Sequence, residues 1–280
     1  MSRKSMVAFF PFVLVAVMPV IGCVGGPDLD EEDSTEVVGE GALGINILNA
    51  LVPEALTAGG EFAKAPLSVD AMVPEARAAI EDSSEQGRLA RMFLRYAVGC
   101  ALGPDQELSY SWTDLHGDVH REVYQGIAGL APSWEQAPLD EVGQQWVSAC
   151  LGARTNRYGR AVEISMHGSA DVLAEVHDAE IKGFPYEEGA FWGNVFLPEP
   201  YLRTCYNPAN VEQARNKSRD CAAGLAGAGD EDCGIMEIMG PCASQCEALG
   251  EGLYHAGCTA PQSGVPSGGK TEYVITVFLP

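Results

Sequence analysis

The chain is short of basic residues: 17 lysines and arginines stand against 39 aspartates and glutamates, a formal net charge of −22 over 280 residues. That balance excludes nucleic acid as a partner, because its phosphates require a basic footprint. Local signatures of common chemistry are also missing. The zincin pattern H-E-x-x-H and the nucleophile elbow G-x-S-x-G do not occur, which removes the best-marked metalloprotease and α/β-hydrolase sites. There is no internal repeat, so a solenoid is excluded. The one long apolar run, Met6 to Ile21, has 16 residues and is interrupted by Pro11 and Pro19, which leaves it short of the ~20 that a helix needs to span a bilayer.

What that run supports is export. Arg3 and Lys4 precede it and Val20-Ile21-Gly22-Cys23 ends it, giving the charged, apolar and small-residue segments of a signal peptide. The last four residues resemble the lipobox of bacterial lipoproteins, which implies cleavage after residue 22 and acylation of Cys23 on sulfur. Residues 1–22 are then the leader, and 280 residues less those 22 leave 258, enough for one sizeable core. Residues 23–40 carry Asp28, Asp30, Glu31, Glu32, Asp33 and Glu36, a self-repelling tether that lifts a folded body off the membrane. Val24 is not the aspartate that retains many enterobacterial lipoproteins in the inner membrane, so the sequence points to the outer one.

Cysteine usage agrees with export. Of nine cysteines the lipobox takes one, leaving Cys100, Cys150, Cys205, Cys221, Cys233, Cys242, Cys246 and Cys258, an even set that closes into disulfides in an oxidising compartment. A zinc site on Cys233, Cys242, Cys246 and Cys258 is the alternative. Intervals of 11, 8, 3 and 11 residues between successive cysteines from Cys221 onward fit no zinc-finger spacing, and thiolate clusters belong mostly to reducing cytosol. No metal or cofactor is expected.

Hydrophobic periodicity predicts an α+β fold, a small sheet with packed helices. One helix follows Ser83 or Ser84, with Leu89, Met92, Phe93, Tyr96, Ala97 and Cys100 on its apolar face and Gly103-Pro104 as its stop. Alternation through Leu108, Tyr110 and Trp112, then a second run from Val119 to Ile127, predicts a β-hairpin. A second helix starts near Asp140, with Val142, Trp146, Val147, Cys150 and Leu151 inward. Arg160 to His167 reads as a strand, Val172 to Val176 as a short helix, and Glu187 to Phe196 as a small-residue helix or a closely packed turn. Tyr273 to Leu279 predicts a terminal strand that completes the core. Residues 41–200 are thus expected to form the core. Residues 201–262, with six cysteines in the 54 from Cys205 to Cys258, are expected to form a separate stapled lobe, and 263–280 a loop and the last strand. Cys100 and Cys150 each sit on the apolar face of a predicted helix, a position that pairs them and leaves three bridges for the lobe.

Several motifs invite chemistry and lose it on context. Gly264 to Thr271 spells the P-loop pattern, yet a β-prone run follows where the phosphate site requires a helix; Lys270 is expected to be dispensable. His116 and His120, interleaved with Asp114 and Asp118, read as a solvated turn rather than a metal site. Ser165, His167 and Ser169 fall on the polar side of a strand, which predicts an exposed edge, not a triad. Asp230-Glu231-Asp232 lacks the rest of a calcium loop. Trp112, Trp134, Trp146 and Trp192 are candidates for a ligand cleft, with core packing as the alternative.

The segments Phe93 to Cys100, Gly126 to Trp134, Trp146 to Asn156 and Glu188 to Asn194, in that order, resemble a set of secreted lipoproteins from myxobacteria over roughly residues 85 to 260. The resemblance implies class and compartment and carries no activity or catalytic residues. The expectation is therefore a lipid-anchored, disulfide-rich protein of the cell envelope that acts by non-catalytic binding, to an extracellular protein or a glycan. A secreted hydrolase with a non-local active site is the runner-up, with His116, His120 and His167 as its first suspects.

Overall fold

The computed structural model describes residues 45–223, 233–250, 253–262 and 265–280. The expected leader, Cys23, the expected acidic tether and Asp230-Glu231-Asp232 lie outside the described residues. In chain order the strands are β1 (Ile45–Asn49), β2 (Glu107–Thr113), β3 (Val119–Gln125), β4 (Val162–His167), β5 (Tyr186–Asn194), β6 (Tyr201–Tyr206), β7 (Met236–Pro241), β8 (Cys258–Gln262), β9 (Val265–Thr271) and β10 (Ile275–Leu279). The helices are α1 (Pro74–Glu81), α2 (Glu85–Ala101), α3 (Glu141–Arg154), α4 (Asp171–Ala174), α5 (Asp178–Gly183), α6 (Val211–Asn216), α7 (Asp220–Ala223) and α8 (Cys242–Gln245). The α+β class is as expected from the sequence.

One sheet organises the molecule, in the order β1–β4–β10–β5–β6–β7. All its pairings are antiparallel except β6 with β7. Successive residues of a strand point to opposite faces, and here both faces are covered. Ile164, Met166, Phe191, Leu202, Ile275, Val277 and Leu279 join one buried cluster with Val147, Cys150 and Leu151 of α3. Contact is close where Gly152 of α3 meets the sheet: a Cβ there would lie 3.1 Å from Leu202 Cδ1 and 3.3 Å from Phe191 Cδ1. On the opposite face Ala190, Trp192, Cys205 and Val274 pack with Cys242 and Cys258.

The two long helices form where periodicity placed them. Leu89, Phe93, Ala97 and Cys100 of α2 are buried, with Met92 and Tyr96 packed partly exposed beside them. The Asp140 carboxylate caps α3 by accepting from the Gly143 N–H at 2.7 Å, one of the donors that a helix start leaves without an internal partner. Val142, expected inside, is instead exposed on the first turn. The Cys100–Cys150 disulfide joins α2 to α3 as their positions predicted. The β2–β3 hairpin packs its Leu108, Tyr110, Trp112 and Tyr124 side inward, where the Arg91 guanidinium lies 3.9 Å over the Trp112 ring.

Two expectations fail here. Residues 186–194 are neither helix nor turn but β5, a strand in the interior of the sheet. Gly189, Ala190 and Gly193 disguise it, and so does a bulge at Glu188: Glu187 pairs with Phe278 while Gly189 pairs with Val277. The extra residue turns Glu188 into the protein, where it meets Arg219 in a buried ion pair at 2.7 Å. The cysteine-rich stretch is also not a separate lobe. Its β6 and β7 extend the main sheet, and its described residues fall in the same compact unit as the rest of the described chain. Low apolar content is offset by using the core's own second face, with Cys205–Cys242 and Cys246–Cys258 fastening the cover and Cys221–Cys233 tying α7 to the segment before β7.

Candidate functional site

The polar groups that carry chemistry collect on the disulfide-covered face of the sheet, at two places. The first is on β4. Alternation sends Ile164 and Met166 to the helical core and Ser165 and His167 to the other side, where α5 lies over them. Ser165 and His167 are therefore buried, not on an exposed edge as their polarity suggested. The carboxylate of Glu180, also buried, comes from α5. Ser165 Oγ lies 2.8 Å from His167 Nε2 and donates to Glu180 Oε1 at 2.5 Å, and the same Oε1 is 3.3 Å from His167 Nε2. The Phe278 ring backs the imidazole, with centroids 4.7 Å apart.

Residue types match a hydrolytic triad, but the wiring does not. Burial pushes the Glu180 carboxyl up, and the hydrogen bonds from His167 and Ser165 outweigh it, holding Glu180 below the usual carboxylate range. An ionised carboxylate only accepts, so the single Ser165 proton goes to Glu180 and His167 Nε2 carries its own proton. An activated serine needs the reverse: a hydroxyl donating to a bare Nε2, with the carboxylate on Nδ1. Here Nδ1 has no partner among the described residues, and the second Glu180 oxygen has none either.

The second place went unnoticed in the sequence, since its residues are far apart. His255, buried, has Nδ1 2.8 Å from the Glu247 carbonyl and Nε2 2.9 Å from Glu187 Oε1 on β5. Both neighbours are acceptors, so only the doubly protonated ring satisfies both. Burial pushes this ring down, while Glu187 and the Glu247 carbonyl outweigh burial and raise it above 6.5. A ligand atom each from Glu187, Cys242 and His255 lies within 4.8 Å of the others. Cys242 is bonded to Cys205, and a disulfide sulfur lacks the thiolate that metal binding requires. Beside this bridge runs the other: Cys246 Sγ is 3.8 Å from Cys205 Sγ.

The remaining motifs resolve as packing or surface. His120 Nε2 lies 3.0 Å from Asp114 on the hairpin, whose carboxyl is held down to about 2 chiefly by that hydrogen bond, and the His120 ring stacks on Trp112. Trp112, Trp134, Trp146 and Trp192 are all buried, the core-packing alternative. The apparent P-loop ends in β9, with no helix after it, and Lys270 pairs with Glu247 at 2.8 Å. An open groove of 660 Å³ lies between residues 52–57 and the start of α2. Glu54, Thr57, Glu85 and Arg88 line it without histidine, cysteine or serine, and Arg88 is tied to Glu85 at 2.6 Å.

No family model, curated protein or solved structure matches the chain. Among the described residues no helix is long and apolar enough to cross a membrane.

Proposed function

We propose that this is a lipoprotein of the bacterial cell envelope, anchored through acylated Cys23, whose folded body works by non-catalytic binding at its surface. One observation carries the choice of binding over catalysis. The described cluster with hydrolase residue types, Ser165, His167 and Glu180, is buried, with its serine proton committed to the carboxylate. Its hydrogen bonds join β4 to α5, a role in holding the second face together. Anchorage is supported by the lipobox at Val20 to Cys23 and by the eight other cysteines, all of which pair. Such a body, stapled by disulfides on an acidic tether, suits a protein that meets extracellular proteins or glycans at the outer membrane.

A fluorophosphonate probe separates this reading from a secreted hydrolase. The purified protein should take up no label, and Ser165→Ala should behave as wild type toward the probe. Stoichiometric labelling that Ser165→Ala abolishes, or labelling at any other serine with accompanying ester or amide cleavage, would establish the hydrolase instead.

A further inference from the structure

We propose that the adjoining bridges Cys205–Cys242 and Cys246–Cys258 form a thiol–disulfide exchange site, in which a dithiol opens the outer bridge and Cys246 then transfers onto Cys205, releasing Cys242 beside His255. The inference stands on the placement of six side chains and does not depend on the function proposed above.

Access selects the first step. Cys205, Cys242 and Cys258 are buried, whereas Cys246 is partly exposed and packs at the margin of their cluster. An incoming dithiol reaches the Cys246 sulfur, bonds to it and expels Cys258 as a thiolate, which takes up a proton. The second sulfur of the dithiol attacks its own partner in the mixed disulfide, leaving the reagent oxidised and Cys246 as a thiolate. Two electrons have passed from the dithiol to the outer bridge.

Geometry selects the second step. The Cys246 sulfur is 3.8 Å from Cys205 Sγ, at contact distance, so the two sulfurs that must join are already neighbours. A Cys246–Cys205 bond forms, the Cys205–Cys242 bond breaks, and Cys242 leaves as a thiolate with no net oxidation or reduction. Chain entropy does not oppose the transfer, because the new bridge spans 41 residues where the old one spans 37, and loop cost varies only with the logarithm of length. The leaving sulfur sits within 4.8 Å of His255 and Glu187. The imidazolium, fixed by its two hydrogen bonds, offsets the Glu187 carboxylate there, so the departing thiolate does not meet an uncompensated negative charge.

Cys258→Ser tests this directly, because it leaves Cys246 without its partner. After acid quenching, denaturation and alkylation without reduction, peptide mapping should find both Cys205–Cys242 and Cys205–Cys246, with label shared between Cys246 and Cys242 within about tenfold, as near-equal loops require. Cys246→Ser is the control and should carry label on Cys258 alone. Label confined to Cys246 in the first variant, or spread to Cys242 in the second, would overturn the proposal. If either variant fails to fold, wild-type protein treated with limiting dithiothreitol gives the same answer. The first crossed peptide should be Cys205–Cys246, and stepwise loss of bridges with no crossed species would contradict it.

Discussion

Replacing Arg219 with methionine should be among the most damaging single changes to this fold, and the damage should depend on pH in a defined direction. The guanidinium is almost fully buried and makes four hydrogen bonds: to both oxygens of Glu188 at 2.8 and 2.7 Å, and to the carbonyls of Thr155 and Ala153 at 2.8 and 2.9 Å. It thus joins the bulge of β5 to the carbonyls at the end of α3. Removing one partner of a buried pair costs about 3–5 kcal/mol, because the other charge is left uncompensated, against a total stability of about 5–15 kcal/mol for a typical domain. Burial already pushes the Glu188 carboxyl above 4.5 in spite of Arg219, and losing Arg219 pushes it further up. A carboxylate whose folded pKa exceeds its unfolded one binds protons preferentially in the folded state, so stability falls as pH rises between the two values. Each pH unit in that interval is worth about 1.36 kcal/mol. The deficit of Arg219→Met relative to wild type should therefore shrink on acidification over the pH range in which the variant's Glu188 is protonated and the wild type's is not, by at most about 1.36 kcal/mol per pH unit. Glu188→Gln strands the arginine charge instead and should be destabilised with no such recovery. Urea unfolding of the three proteins across that range measures this. An Arg219→Met deficit below about 1 kcal/mol, or one that is constant across the interval, would refute the reasoning.

Other parts of the molecule give further expectations. The double variant Cys100→Ala/Cys150→Ala opens a loop spanning 50 residues and should lose about 4 kcal/mol on the chain-entropy model, read from the urea midpoint; a loss under about 1 kcal/mol would show that the bridge adds little to α2–α3 packing. His255 is raised by its partners, so its contribution is present below its unfolded value of 6.5 and is lost as pH rises through the folded one; thermal melts should show a fall on the alkaline side that Glu187→Gln removes. Ser165→Ala deprives Glu180 of a buried donor and should cost about 1–3 kcal/mol in urea. Lys270→Ala breaks only an exposed pair with Glu247, so it should change stability by less than about 1 kcal/mol and alter no ligand binding.

What the sequence revealed and what it hid divide along physical lines. Helix α2 and the β2–β3 hairpin each bury one consistent face, α3 and β4 keep their apolar residues at regular spacing although their other faces are buried too, and β10, buried throughout, shows as an unbroken run of β-branched and aromatic residues from Ile275 to Phe278. Strand β5 does not announce itself, because it is covered on both sides, carries glycines where neighbouring backbone comes close, and holds two glutamates. A Cβ on Gly189 would run into the Cys205 carbonyl, and Glu188 is tolerated inside only because Arg219, 31 residues away, neutralises it. The same non-locality misplaced Ser165 and His167. Alternation correctly separated them from Met166, but the polar face turned inward once α5 supplied Glu180. Cysteine parity and the Cys100–Cys150 pairing were legible. The contact of Cys205 with Cys246, and of His255 with Glu187 68 residues away, depends on how the stapled segment folds back over the sheet, for which no local pattern exists.

The most direct test of the account as a whole is the mass of the protein extracted from bacterial membranes with detergent. A lipid-anchored, fully bridged envelope protein predicts a chain beginning at an acylated Cys23, with no thiol open to alkylation under denaturing, non-reducing conditions. A chain still beginning at Met1, an unacylated protein in the soluble fraction, or two or more alkylated cysteines would contradict it.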